Sequence, residues 1–534
     1  MTSPQNNTKS DLVSGFLVFL IALPLCLGIS IASGFPPVAG ILTAIIGGMV
    51  VSFVGSSRLT IKGPAAGLIV IAAGAVNELG MQANGQVDIF QGYRYCLAIG
   101  VGAAVLQIIF AFIKAGNLGK IMPPAVIHGM LAAIGVIIIT KQFATVFGSH
   151  AEGGEALELI KQMPHAVATM NPLVGLIGVL SLVILFVMPM LKFSWAKKIP
   201  APLLVLSVAI PLGLLFNMGE THSYAFRGET FELSAKYLVD LPNNLLKAIT
   251  FPDFSKIFTF ASIKYIIMFA LVGSVEGLLT VSAVDGMDPE KKNSDLNKDL
   301  LATGLGNLIC GFIGGLPMIS EVVRSKANID NGAKTKMANF YHGMFLLIFV
   351  AFLPGLLKQI PLAALAAMLV YTGTRLAAPS EFRHVLHIGK DQFILFLTTF
   401  IVTLGSDLLI GVGVGIALKV IFHLKRGASF RDLFNANLRT NQEGQVFYID
   451  ILSASIFSNF LQLQRCLDSL PEEVNEVIVD FSEAPLIDHT VLDKLHGISN
   501  NWGDRSLHIR GCDSHSKASS HKAASHYKKV ASNV

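Results

Sequence analysis

Long apolar runs separated by short polar connections fill the chain up to about residue 427. They lie at 12–33, 36–54, 64–76, 93–113, 122–147, 172–190, 200–217, 260–283, 296–314, 320–330, 338–357, 360–376, 391–406 and 408–424. A helix needs about 20 apolar residues to cross a bilayer. The pattern therefore predicts an α-helical polytopic membrane protein of about fourteen segments, two of which, 64–76 and 320–330, are too short to cross.

The pattern changes after Gly427 to short strands and helices in alternation. The predicted elements are a strand Val446–Leu452, a helix Phe457–Leu470, a strand Val474–Phe481, a helix Asp488–Ser499 and a strand Ser506–Gly511. Strand and helix in alternation are typical of a small α/β domain. The predicted organisation is an N-terminal tail 1–11, a transmembrane domain 12–427, a linker 428–444, an α/β domain 445–512 and a polar, frayed tail 513–534.

Composition agrees with a membrane location. The chain has 534 residues, of which 52% are hydrophobic and only 14% are charged. The first apolar run follows a polar tail with one lysine and no small-residue cleavage pattern, so it is predicted to be a retained helix and not a signal peptide.

Several classes of site are not indicated. The five cysteines are scattered without a C-x-x-C pair, and the histidines of the terminal stretch lack ligand spacing, so no disulfide framework, metal site or cofactor is predicted. The spans contain no grouping typical of an intramembrane hydrolase, so an enzyme is not predicted. The net charge of +5 is accounted for by loops and tail, and it indicates no nucleic-acid partner.

Charged connections predict the orientation. Lysine and arginine cluster in alternate connections, at 114–120, 192–198, 291–298, 375–390 and 425–426, whereas acidic residues mark the intervening ones at 78–88 and 152–158. By the positive-inside rule the basic connections and both termini are cytoplasmic.

The two halves of the membrane region show weak internal similarity. Leu42, Gly47, Phe53 and Gly55 recur at the spacing of Leu301, Gly306, Phe312 and Gly314. Seven segments per half is an odd number, so the second half must run with inverted topology. The same alignment superimposes 61–65 on 320–324, which places the two short segments at corresponding positions, the pattern expected for a midplane binding site.

Two opposed half-helices favour an anion. Helix N-termini present unpaired N–H groups and the positive end of the helix dipole. The predicted ligand segments are Gly63, Pro64 and Ala65 in the first half and Val322, Val323, Arg324 and Ser325 in the second. Arg324 adds a fixed charge at membrane depth, although snorkelling of its side chain to an interface is the alternative. Lys62 and Glu321 are expected at the ends of the extended stretches before the half-helices, paired with each other and away from the substrate.

Glu276 places a lone carboxyl group near the middle of the eighth segment. Such a group is costly unless it is paired or protonated, which makes it a candidate for binding a coupling proton or sodium ion. Thr280 lies one turn away on the same helix face and is a second candidate ligand. The alternative is a carboxyl group that only forms a hydrogen bond between helices.

Four motifs carry a family resemblance. They are Leu23-Pro24, the run Ser57-Arg58-Leu59-Thr60-Ile61-Lys62-Gly63-Pro64-Ala65, the run 304–308 with Gly314-Gly315, and Arg324-Ser325 followed by Asn328-Ile329 and 332–335. In these motifs residues 12–425 resemble the sulfate permease (SulP) family of anion transporters. The resemblance implies a seven-plus-seven inverted repeat in which a core domain moves against a gate domain, an unwound stretch at Leu23-Pro24, and a homodimer.

Two positions depart from the family pattern. Leu25, a candidate substrate contact, and Val323 stand where polar residues are common in the family. Because polar side chains are absent at these two positions, the identity of the transported anion stays open. Arg324 is absent from the bicarbonate-transporter pattern, and together with Glu276 it looks more like the proton-coupled sulfate members.

The C-terminal segment has its own resemblance. Val477-Ile-Val-Asp480 and Pro485-Leu-Ile-Asp488-His-Thr490 are similar to the STAS domain that ends many SulP proteins, although glycines usual after Asp488 are missing. Thr490 aligns with a position phosphorylated in related proteins, but a surface threonine at a helix start is the favoured interpretation.

The predicted function is secondary active transport of an inorganic anion across the plasma membrane, the inner membrane of a bacterium, with sulfate and proton symport favoured. Sodium-coupled bicarbonate or dicarboxylate transport is the alternative. A channel-like or anion-sensing membrane protein is the competing class, and Glu276 argues against it because a passive anion path gains nothing from a carboxylate.

Overall fold

The computed structural model describes residues 4–117, 122–149, 156–191, 199–242, 245–290, 292–406, 408–471, 473–502 and 505–528. The chain forms two compact units. The first comprises Met1–Gly116 and Ile134–Leu376, and the second comprises Asn117–Ala133 and Ala377–Val534. The basic connection 192–198, residues 118–121 and 291 of two others, and the acidic stretch 150–155, on which the predicted orientation partly depends, lie outside the described residues.

Helices account for most of the membrane region. In chain order they are Pro4–Ala32 (α1), Pro37–Met49 (α2), Val51–Val54 (α3), Ile69–Gly80 (α4), Ile89–Phe112 (α5), Pro124–Val146 (α6), Ala156–Ala168 (α7), Pro172–Val187 (α8), Ala201–Leu215 (α9), Phe260–Met287 (α10), Leu296–Ile313 (α11), Val322–Asp330 (α12), Met337–Phe352 (α13), Pro354–Leu357 (α14), Leu362–Leu376 (α15), Pro379–Ile388 (α16), Lys390–Gly405 (α17) and Leu408–Lys425 (α18). Each of the fourteen predicted segments overlaps at least one of these helices. Among the described residues, eight helical stretches are long and apolar enough to cross a bilayer. The predicted helical polytopic fold is confirmed.

Two helices and one hairpin of the membrane region were not predicted. Helices α7 and α16 have one apolar and one polar face, and a hairpin pairs His222–Phe226 (β2) with Glu229–Leu233 (β3). None of them contains an apolar run of spanning length, so a criterion based on such runs misses them.

Helix α1 runs without interruption through Pro24, so the unwound stretch expected at Leu23-Pro24 is wrong. A proline inside a helix removes one backbone hydrogen bond, which packing can offset. The helix packs closely on α2, since a Cβ atom at Gly40 would clash with the carbonyl oxygen of Cys26. Leu23, Cys26 and Leu27 contribute to the core of the first unit.

The two short segments begin with strands that pair. Ile61–Pro64 (β1) and Met318–Glu321 (β4) form an antiparallel ribbon in which Lys62 lies opposite Ser320. The extended stretches predicted before the half-helices are therefore present. The second strand begins at Met318, two residues before the position that the repeat alignment gives it. After β1 a 3₁₀ turn, Ala66–Leu68, leads into α4, whereas α12 follows β4 directly.

The C-terminal domain has a four-stranded sheet of order β5-β6-β7-β9. Its elements are Leu438–Glu443 (β5), Val446–Ile451 (β6), Phe460–Asp468 (α19), Glu476–Asp480 (β7), Leu486–Ile487 (β8), His489–Asn501 (α20), Ser506–Arg510 (β9), Ser516–Lys517 (β10) and His526–Tyr527 (β11). Strands β6, β7 and β9 are parallel and β5 is antiparallel to β6. The five predicted elements are confirmed with boundaries shifted by a few residues.

Two boundary predictions for this domain are wrong. The predicted linker 428–444 contains the edge strand β5, whose polar side chains are mostly exposed and therefore show no alternation. The predicted frayed tail contains β10 and β11, which pair with each other and with β8. His515 and His526 in this tail are buried, so its polar composition did not indicate its packing.

Candidate functional site

Arg324 lies in the first turn of α12 and is completely buried. Its Nη2 donates to the carbonyl oxygen of Pro64 at 2.9 Å, and its Nη1 lies 3.6 Å from Sγ of Cys26. The guanidinium group therefore contacts α1 and the end of β1. Burial excludes the alternative in which this side chain reaches an interface.

Arg324 and the first short segment meet as the sequence predicted. A Cβ atom at Gly63 would lie 2.7 Å from Nη1 of Arg324, so the absence of a side chain there lets the guanidinium approach the strand. Pro64 and Ala65 are buried beside it. Nε of Arg324 has no hydrogen-bond partner among the described residues, so the group retains a free donor.

The remaining predicted contacts differ in exposure. Val322 and Val323 are 43% and 41% exposed, and Leu25 is half-buried, so the start of α12 borders open space. Ser325 is instead fully buried, and its hydroxyl donates to the carbonyl oxygen of Glu321 and accepts from the backbone N–H of Ile61. Ser325 thus holds β1 against α12, and its hydroxyl is already used by the backbone.

Glu276 lies in α10, where Oε2 is buried and has no hydrogen-bond partner among the described residues. The carboxyl group contacts the 3₁₀ turn that precedes α4, because a Cβ atom at Gly67 would clash with both of its oxygens. Thr280 is buried one turn further along α10. The segment 63–67 therefore contacts Arg324 at one end and Glu276 at the other.

Lys62 does not pair with Glu321. Its Nζ lies 2.5 Å from Oδ2 of Asp299 and donates to Oγ of Ser320 at 2.7 Å. The strand register places Glu321 opposite Ile61, which separates it from the lysine side chain. The expected Lys62–Glu321 pair is therefore wrong, although Lys62 and Glu321 do lie in the extended strands β1 and β4 that precede the half-helices.

Further polar residues near β4 were not predicted from the sequence. The side-chain oxygen of Asn307 accepts from the backbone N–H of Met318 at 2.5 Å, and its amide nitrogen donates to Oε1 of Gln107 at 2.8 Å. His342 in α13 is fully buried, with no hydrogen-bond partner at either ring nitrogen among the described residues. Each polar residue was visible within an apolar run, but the Asn307–Gln107 contact joins residues that are distant in sequence.

A helical membrane fold in which two short strand-and-helix segments meet at a buried arginine has the architecture of a secondary transporter. The comparisons with known proteins agree. The sulfate permease family profile matches residues 8–399, and the chain belongs to this family. Members of the family are transporters, so the protein is not an enzyme.

Curated relatives carry sulfate and bicarbonate transporter names. The putative sulfate transporter YvdB of Bacillus subtilis is 28% identical over 424 residues, covering 78% of this chain and 74% of its own length. The bicarbonate transporter BicA of Picosynechococcus is 25% identical over 422 residues, covering 79% and 71% respectively.

Solved structures share the fold. The transmembrane domain of a cyanobacterial BicA matches with a TM-score of 0.63 at 24% identity, over 76% of this chain and 97% of that domain. The murine anion transporter Slc26a9 in its inward-facing state matches with a TM-score of 0.68 at 16% identity, over 95% of this chain and 86% of its own. The second match extends over the C-terminal α/β domain.

Proposed function

We propose that this protein is a secondary active transporter that binds an inorganic anion between the β1–α4 and β4–α12 segments. The observation that carries the proposal is the position of Arg324, whose buried guanidinium group contacts Pro64 at the end of β1, the strand that leads into the opposite half-helix. A fixed positive charge with a free Nε–H, beside two helix N-termini, suits an oxyanion. The neighbouring residues Val322 and Val323 at the start of α12 are exposed.

Sulfate is the favoured substrate and a proton the favoured coupling ion. A dianion leaves net negative charge beside Arg324, and reciprocal linkage means that protonation of a nearby carboxyl group tightens anion binding. Glu276 supports this assignment because an ionised oxygen without a partner is unfavourable at this depth, and a proton removes the charge. Thr280 completes the coupling site.

Sodium-coupled transport of bicarbonate is the second candidate. It is favoured by the similarity to BicA and by the apolar side chains of Leu25 and Val323, which offer no side-chain hydrogen bonds to a sulfate ion. A dicarboxylate would satisfy the same arginine. A sodium ion needs several oxygen ligands, of which Glu276 and Thr280 would supply two.

The cellular arrangement belongs to the same proposal. The transporter lies in the plasma membrane, the inner membrane of a bacterium, with both termini cytoplasmic, and it works as a homodimer. The α/β domain is a STAS-like cytoplasmic domain, which its β6–α19–β7–α20–β9 order supports. Thr490 is fully buried, so the interpretation of it as a surface threonine is wrong.

Uptake into proteoliposomes tests substrate and coupling together. Purified protein is reconstituted, and radiolabelled sulfate, bicarbonate and succinate are supplied with and without imposed proton and sodium gradients. We expect sulfate accumulation driven by an inward proton gradient. Accumulation of bicarbonate driven only by sodium would establish the second candidate, and gradient-independent equilibration of all three anions would establish a passive path.

Glu276→Gln isolates the coupling step. The neutral amide mimics a protonated carboxyl group, so we expect the variant to bind anion with little dependence on pH and to lose accumulation driven by a proton gradient. The measurement is equilibrium binding of labelled sulfate at several pH values, together with uptake after a pH step. Accumulation at the wild-type level would remove Glu276 from the coupling mechanism.

A further inference from the structure

Lys62 carries a buried charge that the proposed anion site does not use. Its side chain and that of Asp299 are each 3% exposed, and the two charged groups are 2.5 Å apart. Asp299 belongs to the first turn of α11, far from β1 in sequence. Ionised groups at membrane depth are unfavourable unless they are paired, so this pair must form whenever the region folds.

The pair joins three elements at one point. Lys62 lies directly opposite Ser320 in the ribbon and donates to its hydroxyl, which fixes β1 against β4. The Asp299 carboxylate fixes both strands to α11, and its other oxygen accepts from the backbone N–H of Ser57 at 3.4 Å. The connection that leads into β1 is therefore held by the same carboxylate.

The backbone of Lys62 is held from the opposite side. A Cβ atom at Gly47 would lie 2.6 Å from the carbonyl oxygen of Lys62, so α2 packs directly on the strand backbone. Asn339 of α13 accepts from the Lys62 N–H at 3.5 Å and donates to the carbonyl oxygen of Gly47 at 3.0 Å. The residue is enclosed by α2, α11, α13 and β4.

The β1–β4 ribbon needs contacts from outside to fix its register, because its own hydrogen bonds specify the register weakly. Two strands of four residues are marginal as an isolated hairpin, and a slip by one residue moves a strand by about 3.3 Å. Such a slip would carry Gly63 and Pro64 away from Arg324. It would also separate Lys62 from Asp299 and Ser320 and leave buried charges unpaired, which disfavours the slipped register.

We propose that Lys62 and Asp299 are positioning residues for anion binding: the ion pair sets the register of β1 on β4 and thereby holds Gly63 and Pro64 against Arg324. The inference rests on the proposed function, because it assumes that the anion binds at the segments which the ribbon aligns. Lys62 is not a substrate ligand in this scheme, since Asp299 neutralises its charge.

The test compares single and double neutralisation of the pair. Lys62→Met and Asp299→Leu each leave one buried charge without its partner, whereas the double variant leaves none. Uptake of radiolabelled sulfate and bicarbonate gives KM and the maximal rate for each variant, and thermal unfolding in detergent identifies variants that fold. We expect each single variant to raise the anion KM at least tenfold and the double variant to recover at least threefold of that loss.

Recovery in the double variant separates positioning from direct binding. If Lys62 bound the anion, removing Asp299 as well could not restore affinity, so a double variant no better than Lys62→Met overturns the proposal. Ser320→Ala decides the case in which neither single variant folds. It removes only the hydroxyl contact to Lys62 and should raise KM about threefold, and an unchanged KM would overturn the proposal.

An exposed pair in the same unit provides the matched control. Lys264 and Glu78 lie 2.7 Å apart with 23% and 45% of their side chains exposed. Lys264→Met and Glu78→Leu should each leave the anion KM within twofold of wild type, because exposed pairs contribute little. Absence of anion uptake by the wild-type protein would count against the proposed function itself, whereas wild-type uptake without the double-variant recovery counts only against the positioning role.

Discussion

At the scale of single residues, Arg324 combines a contact that stabilises the fold with a hydrogen-bond donor that is left unused. It holds the end of β1 through the carbonyl oxygen of Pro64, and its buried Nε–H donor has no hydrogen-bond partner among the described residues. The contact stabilises the fold and the donor is available to a ligand. Variants must therefore be judged by folding and by affinity separately.

Replacement of Arg324 by alanine should weaken anion binding at least tenfold. Loss of a hydrogen bond to a charged group costs about 1.5–3 kcal/mol. Equilibrium binding of labelled anion to folded, purified protein measures the effect. Arg324→Lys keeps the charge without the planar fork and should give an intermediate affinity, whereas wild-type affinity in Arg324→Ala would place this side chain outside the site.

Gly67→Ala tests the position of the Glu276 carboxyl group. The new methyl group would clash with Oε2, so the carboxyl group must move, but it is the end of a flexible side chain and the fold should persist. We expect anion binding to remain and its pH dependence to change. Gly286→Ala, on the same helix as Glu276, is the control, because no atom of the described residues lies within 4 Å of a Cβ atom there. It should leave anion binding and its pH dependence unchanged.

At the scale of elements, the α/β domain is joined to the last membrane helix by a buried ion pair. Nζ of Lys419 in α18 lies 2.6 Å from Oδ1 of Asp488, and the two side chains are 2% and 0% exposed. Asp488 precedes α20 at the N-cap position but forms no cap hydrogen bond, because its carboxylate faces the lysine instead. His423 lies 3.3 Å from the same oxygen.

The junction should be insensitive to pH in the physiological range. Burial alone would raise the pKa of Asp488, but Lys419 and His423 hold it well below its usual range. A carboxyl group whose pKa is lowered in the folded state stabilises the fold at pH values above its unfolded-state pKa, which is about 3.9 for aspartate. This stabilisation is lost as the pH falls through the folded-state pKa. The attachment should therefore be constant from about pH 5 to 8.

Limited proteolysis of the segment between α18 and β5 at several pH values measures that attachment. Protection should be uniform across the physiological range in the wild-type protein. Asp488→Asn should increase cleavage across the same range, since it leaves the Lys419 charge buried without a counter-charge. Protection that fell in the wild-type protein near the ordinary pKa of histidine would indicate that His423, and not Asp488, governs the junction.

Elements with a strong local pattern were predictable and their partners were not. The apolar runs and the alternation after Gln445 do not depend on distant residues, so helices such as α5 and strands such as β7 were placed within a few positions. Strand β5 was missed because an exposed edge strand needs no apolar face. In the site, Arg324 could be identified from the sequence because it is a charge at membrane depth. The pairing of Lys62 with Asp299 could not be predicted, because it depends on how α11 packs against β1.

At the scale of the whole molecule, removal of the C-terminal domain should also affect the folding of the membrane domain. A chain that ends after Gly427 retains all residues of the proposed anion site, so it should still bind anion. It also retains Lys419, whose counter-charge Asp488 is then lost. The truncated protein should therefore bind anion but fold in lower yield.

A second substitution should restore part of the stability that the truncated protein has lost. Lys419→Met in the shortened chain removes the charge that has lost its partner, and we expect higher expression and a higher unfolding temperature than in the truncation alone. Fluorescence-monitored size exclusion and thermal unfolding provide the comparison. Equal yields from the two truncated chains would mean that water reaches Lys419 once the domain is gone.

The β1–β4 ribbon also makes the two halves of the membrane region depend on each other. Each half contributes one four-residue strand, and neither strand pairs with a further strand among the described residues. A chain cut between the two halves should therefore need both fragments in the same membrane to close the ribbon.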